Sequence, residues 1–279
     1  MPGVRVVLHR IGQARQGPLD STRSDARGRF YFGYRADTAA FFLASARYSG
    51  IEYFSAPLPT NPARPDTAIR VLVYDTSSSA PVELEARHLV LTRPGEDGSR
   101  SLLDLIILRN GGRLTRVAPD TGQGTWSVPL PVGTVGLQVK ESDISSEALT
   151  RVGNALTIGA ALAPGEKQLT LEYQVPGDRR LLQLPVDRAG LPLNVLAEES
   201  GVRVDGPGMA PADSQVIQNR SFRRWTGTVR ATGPVRILLP GGKSPPSWLL
   251  LALVGGLALA LAAGGWYALR GRPPLRQQE

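Results

Sequence analysis

Gln168-Leu169-Thr170-Leu171-Glu172-Tyr173-Gln174-Val175 alternates polar and apolar residues without a break. Leu169, Leu171, Tyr173 and Val175 fall on one face and the four polar residues on the other, the spacing of a half-buried β-strand. Phe30, Phe32 and Tyr34 alternate in the same way, as do Trp126, Val128 and Leu130. Leu102–Leu108 (Leu-Leu-Asp-Leu-Ile-Ile-Leu) is denser and suits a strand covered on both faces. The 31 glycines and 23 prolines fall largely between such runs, as turn punctuation. Against this, one weak stretch, residues 143–152, is the only plausible helix before the C-terminal run. The pattern predicts an all-β body of tandem β-sandwich domains followed by one C-terminal transmembrane α-helix.

Loops set the expected boundaries. Ala56-Pro57-Leu58-Pro59-Thr60-Asn61-Pro62-Ala63-Arg64-Pro65 reads as a stiff linker, and Pro176-Gly177-Asp178 as a strong turn. The expected order is a small β-sandwich at 1–56, a proline-rich linker at 57–66 and a β-sandwich at 67–177. Residues 178–240 follow as a smaller β domain or the second half of that sandwich. A linker at 241–247, a membrane helix at 248–269 and a basic tail at 270–279 complete the chain.

Trp248–Leu269 is an uncharged apolar run of 22 residues containing eight leucines. As a helix it would measure about 33 Å, enough to cross a hydrocarbon core of about 30 Å. Trp248, Trp266 and Tyr267 stand where an aromatic belt places them. Arg270, Arg272 and Arg276 follow the run, so the positive-inside rule puts the tail in the cytoplasm and 1–247 outside it, at the cytoplasmic membrane. The opening residues lack the charged and apolar regions of a signal peptide. The expectation is therefore a start upstream of Met1, the alternative being a tail-anchored protein with a cytoplasmic body. Ala252, Gly256, Ala260 and Gly264 form a small-residue stripe that would permit close helix packing.

The net charge of +8 comes from 32 Lys and Arg against 24 Asp and Glu spread along the chain. No basic cluster interleaves with aromatics on one element, so a nucleic-acid partner is not expected. The absence of cysteine excludes disulfides and thiolate chemistry. His9 and His88 sit in no metal-ligand spacing, and no phosphate-binding loop, dinucleotide fingerprint or G-x-S-x-G elbow is present. Neither a metal nor another cofactor is expected. Glu83 with Glu85, and Glu198 with Glu199, are the acids that a carboxylate hydrolase would use; exposed acids at strand ends are the plainer reading. Asn219-Arg220-Ser221 matches a glycosylation sequon, relevant only in a eukaryotic secretory route.

Three segments carry a family resemblance. They are Val4-Arg5-Val6-Val7-Leu8, then Thr22-Arg23-Ser24-Asp25-Ala26-Arg27-Gly28-Arg29-Phe30-Tyr31-Phe32, then Ala44-Ser45-Ala46-Arg47-Tyr48-Ser49-Gly50-Ile51-Glu52-Tyr53. Together, about residues 3–56 resemble the carboxypeptidase regulatory-like domain, a prealbumin-like β-sandwich of the carbohydrate-binding-like fold. The resemblance implies a tight turn at Asp25 and Gly28, core positions for Phe30 and Phe32, no zinc ligands, and a binding or spacing role. The remainder resembles bacterial envelope proteins with a C-terminal membrane anchor.

The expected function is thus a non-catalytic, single-pass cell-envelope protein whose β body binds, scaffolds or assembles. Its partners would be the lipid bilayer, proteins of a membrane complex, and a glycan or peptide ligand held through Tyr48, Tyr53 or Trp225. Tyr31, Phe54 and Phe222 are further aromatic candidates. A carbohydrate-binding module and a carboxylate hydrolase are the alternatives.

Overall fold

A computed structural model describes residues 1–13, 16–35, 37, 39–58, 69–120 and 122–240. Within them the protein is all-β, built from several sheets. It forms two compact units. Unit 1 comprises Met1–Val82, Asn110–Thr125 and Ala161–Gly165; unit 2 takes Glu83–Arg109, Trp126–Ala160 and the described residues from Glu166 onward.

Unit 1 begins with β1 (Arg5–Gly12), β2 (Gly17–Arg23), β3 (Ala40–Tyr48) and β4 (Ile51–Phe54), in sheet order β2-β1-β3-β4. β3 and β4 are joined by Ser49-Gly50, both at positive φ (49° and 81°), the conformation that suits a two-residue hairpin. Alternation decides the faces. Val6, Leu8, Phe42, Ala44, Ala46 and Tyr53 are buried, while Phe41 and Phe54 stay 45% and 57% exposed. Phe32, Tyr34 and Ile69 pack against a cluster of Leu8, Ala40, Phe42 and Leu58. β5 (Thr76–Ser77) adds a short ladder described below.

The expected strand through Phe30, Phe32 and Tyr34 is not one. These residues alternate in burial, but no ladder forms over 29–35. Phe30 and Phe32 meet edge-on at 6.0 Å and Tyr34 lies 4.6 Å from Phe42, so ring packing rather than a strand ladder holds this segment. In the expected linker, Leu58 is buried and bridges to Phe42, and residues 59–68 lie outside the described residues. Described residues on both sides of it belong to unit 1.

Unit 2 is organised by β6 (Val82–Leu91) and β7 (Arg100–Asn110). β8 (Thr115–Arg116) returns to unit 1 and pairs in parallel with β5. The chain continues through β9 (Trp126–Pro129), β10 (Val135–Ser142), a 3₁₀ turn at Ser146–Ala148, β11 (Leu149–Val152), β12 (Ala155–Ile158) and β13 (Gly165–Val175). Then follow β14 (Leu181–Val186), β15 (Leu191–Ala197), β16 (Arg203–Asp205), β17 (Met209–Ile217), β18 (Arg220–Val229) and β19 (Gly233–Leu238).

The main sheet of unit 2 has seven strands in the order β10-β13-β7-β6-β15-β18-β17. Two three-stranded sheets, β11-β12-β9 and β14-β19-β16, accompany it. β15 lies parallel to β6, with Val195 opposite Leu89, so residues after 178 complete a sheet begun before residue 92. Pro176-Gly177-Asp178 is a turn inside this unit. A Cβ on Gly177 would lie 2.8 Å from the Gly98 backbone, so only glycine fits there.

β7 is buried along nearly its whole length, as its apolar density requires, and β13 buries Leu169, Leu171, Tyr173 and Val175. Val90, Leu103, Leu196, Ile217 and Phe222 form a core cluster. The expected helix over 143–152 is one 3₁₀ turn followed by β11, which pairs with β12. β-branched Thr150 and Val152 alternate, and Gly153 at φ 59° opens a Gly-Asn turn that closes a hairpin.

Candidate functional site

The three aromatic candidates have distinct fates. Tyr53 is 5% exposed; its hydroxyl donates to the Tyr74 carbonyl at 2.9 Å and lies 2.8 Å from Thr115 Oγ1. Tyr48 is half-buried and donates to Asp75 Oδ1 at 2.6 Å, a bond that raises its pKa. Trp225 is 4% exposed in β18, beneath the Arg223 guanidinium at 5.2 Å from its ring centre. The expectation that Tyr53 and Trp225 present ring faces to a ligand is therefore corrected, because alternation turned both into the core. Phe222 is buried too, whereas Tyr31 is 84% exposed and Phe54 remains open.

Asp25 and Gly28 make one compact turn. Asp25 Oδ1 accepts from the backbone N–H groups of Arg27 and Arg29, each at 2.8 Å, and Gly28 sits at φ 77°. The Arg29 backbone N–H, aided by the Arg29 guanidinium and the Arg27 N–H, holds the Asp25 carboxyl below its usual range.

In unit 1 a serine, a histidine and a carboxylate converge on the open face of the sheet. His9 Nε2 lies 2.8 Å from Ser45 Oγ, and Ser45 Oγ donates to Glu52 Oε1. A hydrolytic triad needs the imidazole between the serine and the acid. Here the serine stands between the other two and is fully buried, so the trio ties β1, β3 and β4 together.

A cleft of about 470 Å³ lies on unit 1, lined by Arg10, Leu19, Asp20, Tyr34, Arg35 and Asp37 over Phe42. Arg10 and Asp37 form an ion pair within it. The Arg10 hydrogen bond, aided by the Ala39 N–H, holds the Asp37 carboxyl below its usual range. A half-buried tyrosine ring rimmed by guanidinium and carboxylate groups can stack a flat apolar face and bond hydroxyls around it. Sequence reading passed over Tyr34 because it belonged to an apparent strand. Arg10 and Asp37 come together only through the fold.

In unit 2 the acids of the hydrolase reading are engaged by arginines. Glu85 and Glu166 pair with Arg109, and Glu199 with Arg100. Glu198 pairs with Arg93 and Arg220. Burial alone would raise the Glu198 pKa, but the Arg220 bond and the Arg93 N–H outweigh it and bring it below the usual value. Such an acid stays ionised, unlike a general acid. Glu83 is exposed on β6.

Arg87 and Asp104, 1% and 0% exposed, form a two-pronged pair on neighbouring strands, with Arg87 Nε 2.8 Å from Asp104 Oδ1. Arg87 also donates to the Pro129 carbonyl at 3.0 Å, and the Tyr173 hydroxyl donates to Asp104 Oδ2 at 3.3 Å. Burial, then the Asp104 charge, pushes the Tyr173 pKa far up and keeps it neutral. No solvent-facing atom joins this trio, so its role is structural.

Among the described residues no group of three His, Asp or Glu side chains is placed to hold a metal. Among them, too, no helix is long and apolar enough to cross a membrane, while 248–269, with Ala252, Gly256, Ala260 and Gly264, lies outside them. No protein-family model matches the chain, and a search of the curated proteins finds no match.

Proposed function

We propose that this protein is a non-catalytic, single-pass envelope protein whose tandem β-sandwich body acts as a binding, scaffolding or assembly module outside the cytoplasm. The observation that carries the reading is the uncharged stretch Trp248–Leu269, which follows an all-β body and precedes Arg270, Arg272 and Arg276. The engagement of Glu85, Glu198 and Glu199 by arginines supports the non-catalytic part. The test is flotation with membranes after alkaline carbonate washing, combined with protease shaving of spheroplasts carrying a C-terminal tag. The proposal expects the body to be shaved and the tail protected. Release by carbonate, or a body that stays protected, overturns it.

The cleft of unit 1 favours glycan binding as a second reading, in keeping with the resemblance of residues 3–56 to a regulatory-like domain. Affinity electrophoresis against envelope polysaccharides should show retardation that Tyr34→Ala abolishes. Equal mobility of the two proteins in every glycan removes it.

A further inference from the structure

Pro240 is the last described residue, and the chain is fixed there. Arg100 Nη2 and Arg180 Nη1 donate to the Pro240 carbonyl at 2.8 and 3.0 Å. Arg100 is 1% exposed and also pairs with Glu199, while the Leu239 N–H donates to the Arg180 carbonyl at 2.9 Å. A Cβ on Gly201 would come within 2.9 Å of the Pro240 ring, so that loop packs directly against the exit. Seven residues, 241–247, separate this point from the apolar run. Fully extended they reach about 25 Å at most.

The same end of unit 2 gathers exposed arginines. Arg179 and Arg180 are in the turn beside Pro240, and Arg203 stands opposite Leu238. Arg223 donates to the Ser200 carbonyl, next to Gly201. None of these four pairs with a carboxylate among the described residues, whereas Glu198 and Glu199 are taken up by Arg93, Arg220 and Arg100. Asp178 is the exposed acid within the turn, exposed Glu96 and Asp97 lie on the loop that meets Gly177, and Asp205 stands opposite Arg236 one row further along the sheet. Leu181, Leu238 and Arg203 form one cross-strand row, with both leucines substantially exposed. Guanidinium groups around a small apolar row match the phosphate-and-acyl boundary of a bilayer.

We infer that this end of unit 2 docks on anionic phospholipid headgroups of the bilayer that holds 248–269, with Arg179, Arg180, Arg203 and Arg223 meeting the phosphates. The inference rests on the membrane-anchor reading above. Attachment at Pro240 delivers the basic end to the surface, and docking fixes the tilt of the body over it.

The chain has no cysteine, so Ser200→Cys offers a single site for a fluorophore. The full chain is reconstituted into neutral phosphatidylcholine vesicles and into vesicles about one-third phosphatidylglycerol, each with a headgroup-attached quencher. Quenching in the anionic vesicles should be at least about twice that in the neutral ones, and should fall to the neutral level at high salt. Arg179→Glu with Arg203→Glu should remove the difference, and the salt arm on the otherwise unaltered protein gives a readout free of folding effects. Equal quenching in both vesicles overturns docking while flotation of both leaves the anchor standing. Release by millimolar inorganic phosphate at constant ionic strength assigns the site to a free anion and also overturns it. Failure to float with either vesicle overturns the anchor reading and docking together.

Discussion

The main sheets of the two units differ in how many faces they cover. In unit 1 the sheet buries Val6, Leu8, Phe42 and Ala44 on one side and leaves Phe41 and Phe54 open on the other. In unit 2, β7 is covered on both sides and carries a charged pair, Arg87–Asp104, inside the core. A sheet with one free face tolerates change there and can offer it to a ligand. A strand covered twice gains more hydrophobic stabilisation, roughly 1.5–3 kcal/mol for each large apolar side chain, but any polar group on it must find its partner inside. The clusters differ too: in unit 1 the cleft with Arg10, Tyr34 and Asp37 opens beside Phe42, on the covered face rather than the free one, and in unit 2 the Arg87–Asp104–Tyr173 trio is closed.

That contrast can be broken most forcefully at Asp104. Asp104→Ala leaves Arg87 charged and unpaired in the core and should cost about 3–5 kcal/mol in urea unfolding. Replacing both partners, Arg87→Met with Asp104→Leu, should recover most of the loss. A double variant as unstable as the single one would mean that the pair adds net stability. Phe42→Ala probes the single covered face of unit 1 and should cost about 3–4 kcal/mol. Phe54→Ala on the open face should stay within about 0.5 kcal/mol by the same denaturation curve.

Acidification should separate two further groups. Burial lowers the His88 pKa from 6.5, so the unfolded chain takes up that proton first, and stability is full above pH 6.5 and declines below it. Glu198 works in the ordinary carboxylate sense. Its pKa is lowered from 4.5, so its contribution is present above pH 4.5 and is lost as the pH falls through the lower folded value. Urea midpoints measured across this range should fall in two stages, and His88→Gln should flatten the upper one alone. Gly28→Ala, placed at a positive φ, should cost roughly 1–2 kcal/mol, read as a shift in thermal midpoint.

Local pattern made much of the strand content legible. The alternation of 168–175 and the density of 102–108 each describe the burial of β13 and β7. It misled at 30–34, where alternating rings pack without a backbone partner, and at 143–152, where a Gly-Asn turn outweighed a weak helical pattern. The site candidates were less legible. Tyr53 and Trp225 read as possible platforms because an aromatic in a strand gives no sign of which face will be covered. Tyr34, Arg10 and Asp37 were invisible as a set, since their convergence depends on how β1 and β3 pair.

By itself the sequence determined the β character of the body, the Asp25–Gly28 turn and the apolar length of 248–269. Each depends on neighbours within a few residues, through side-chain alternation, positive φ or hydrocarbon thickness. Only the tertiary structure decided that β15 joins β6 in parallel, that Asp104 meets Arg87, and that Arg100 and Arg180 both meet the Pro240 carbonyl. Those contacts join segments far apart in the chain. Their free energy comes from desolvation and charge pairing, which exist only after the sheets have closed.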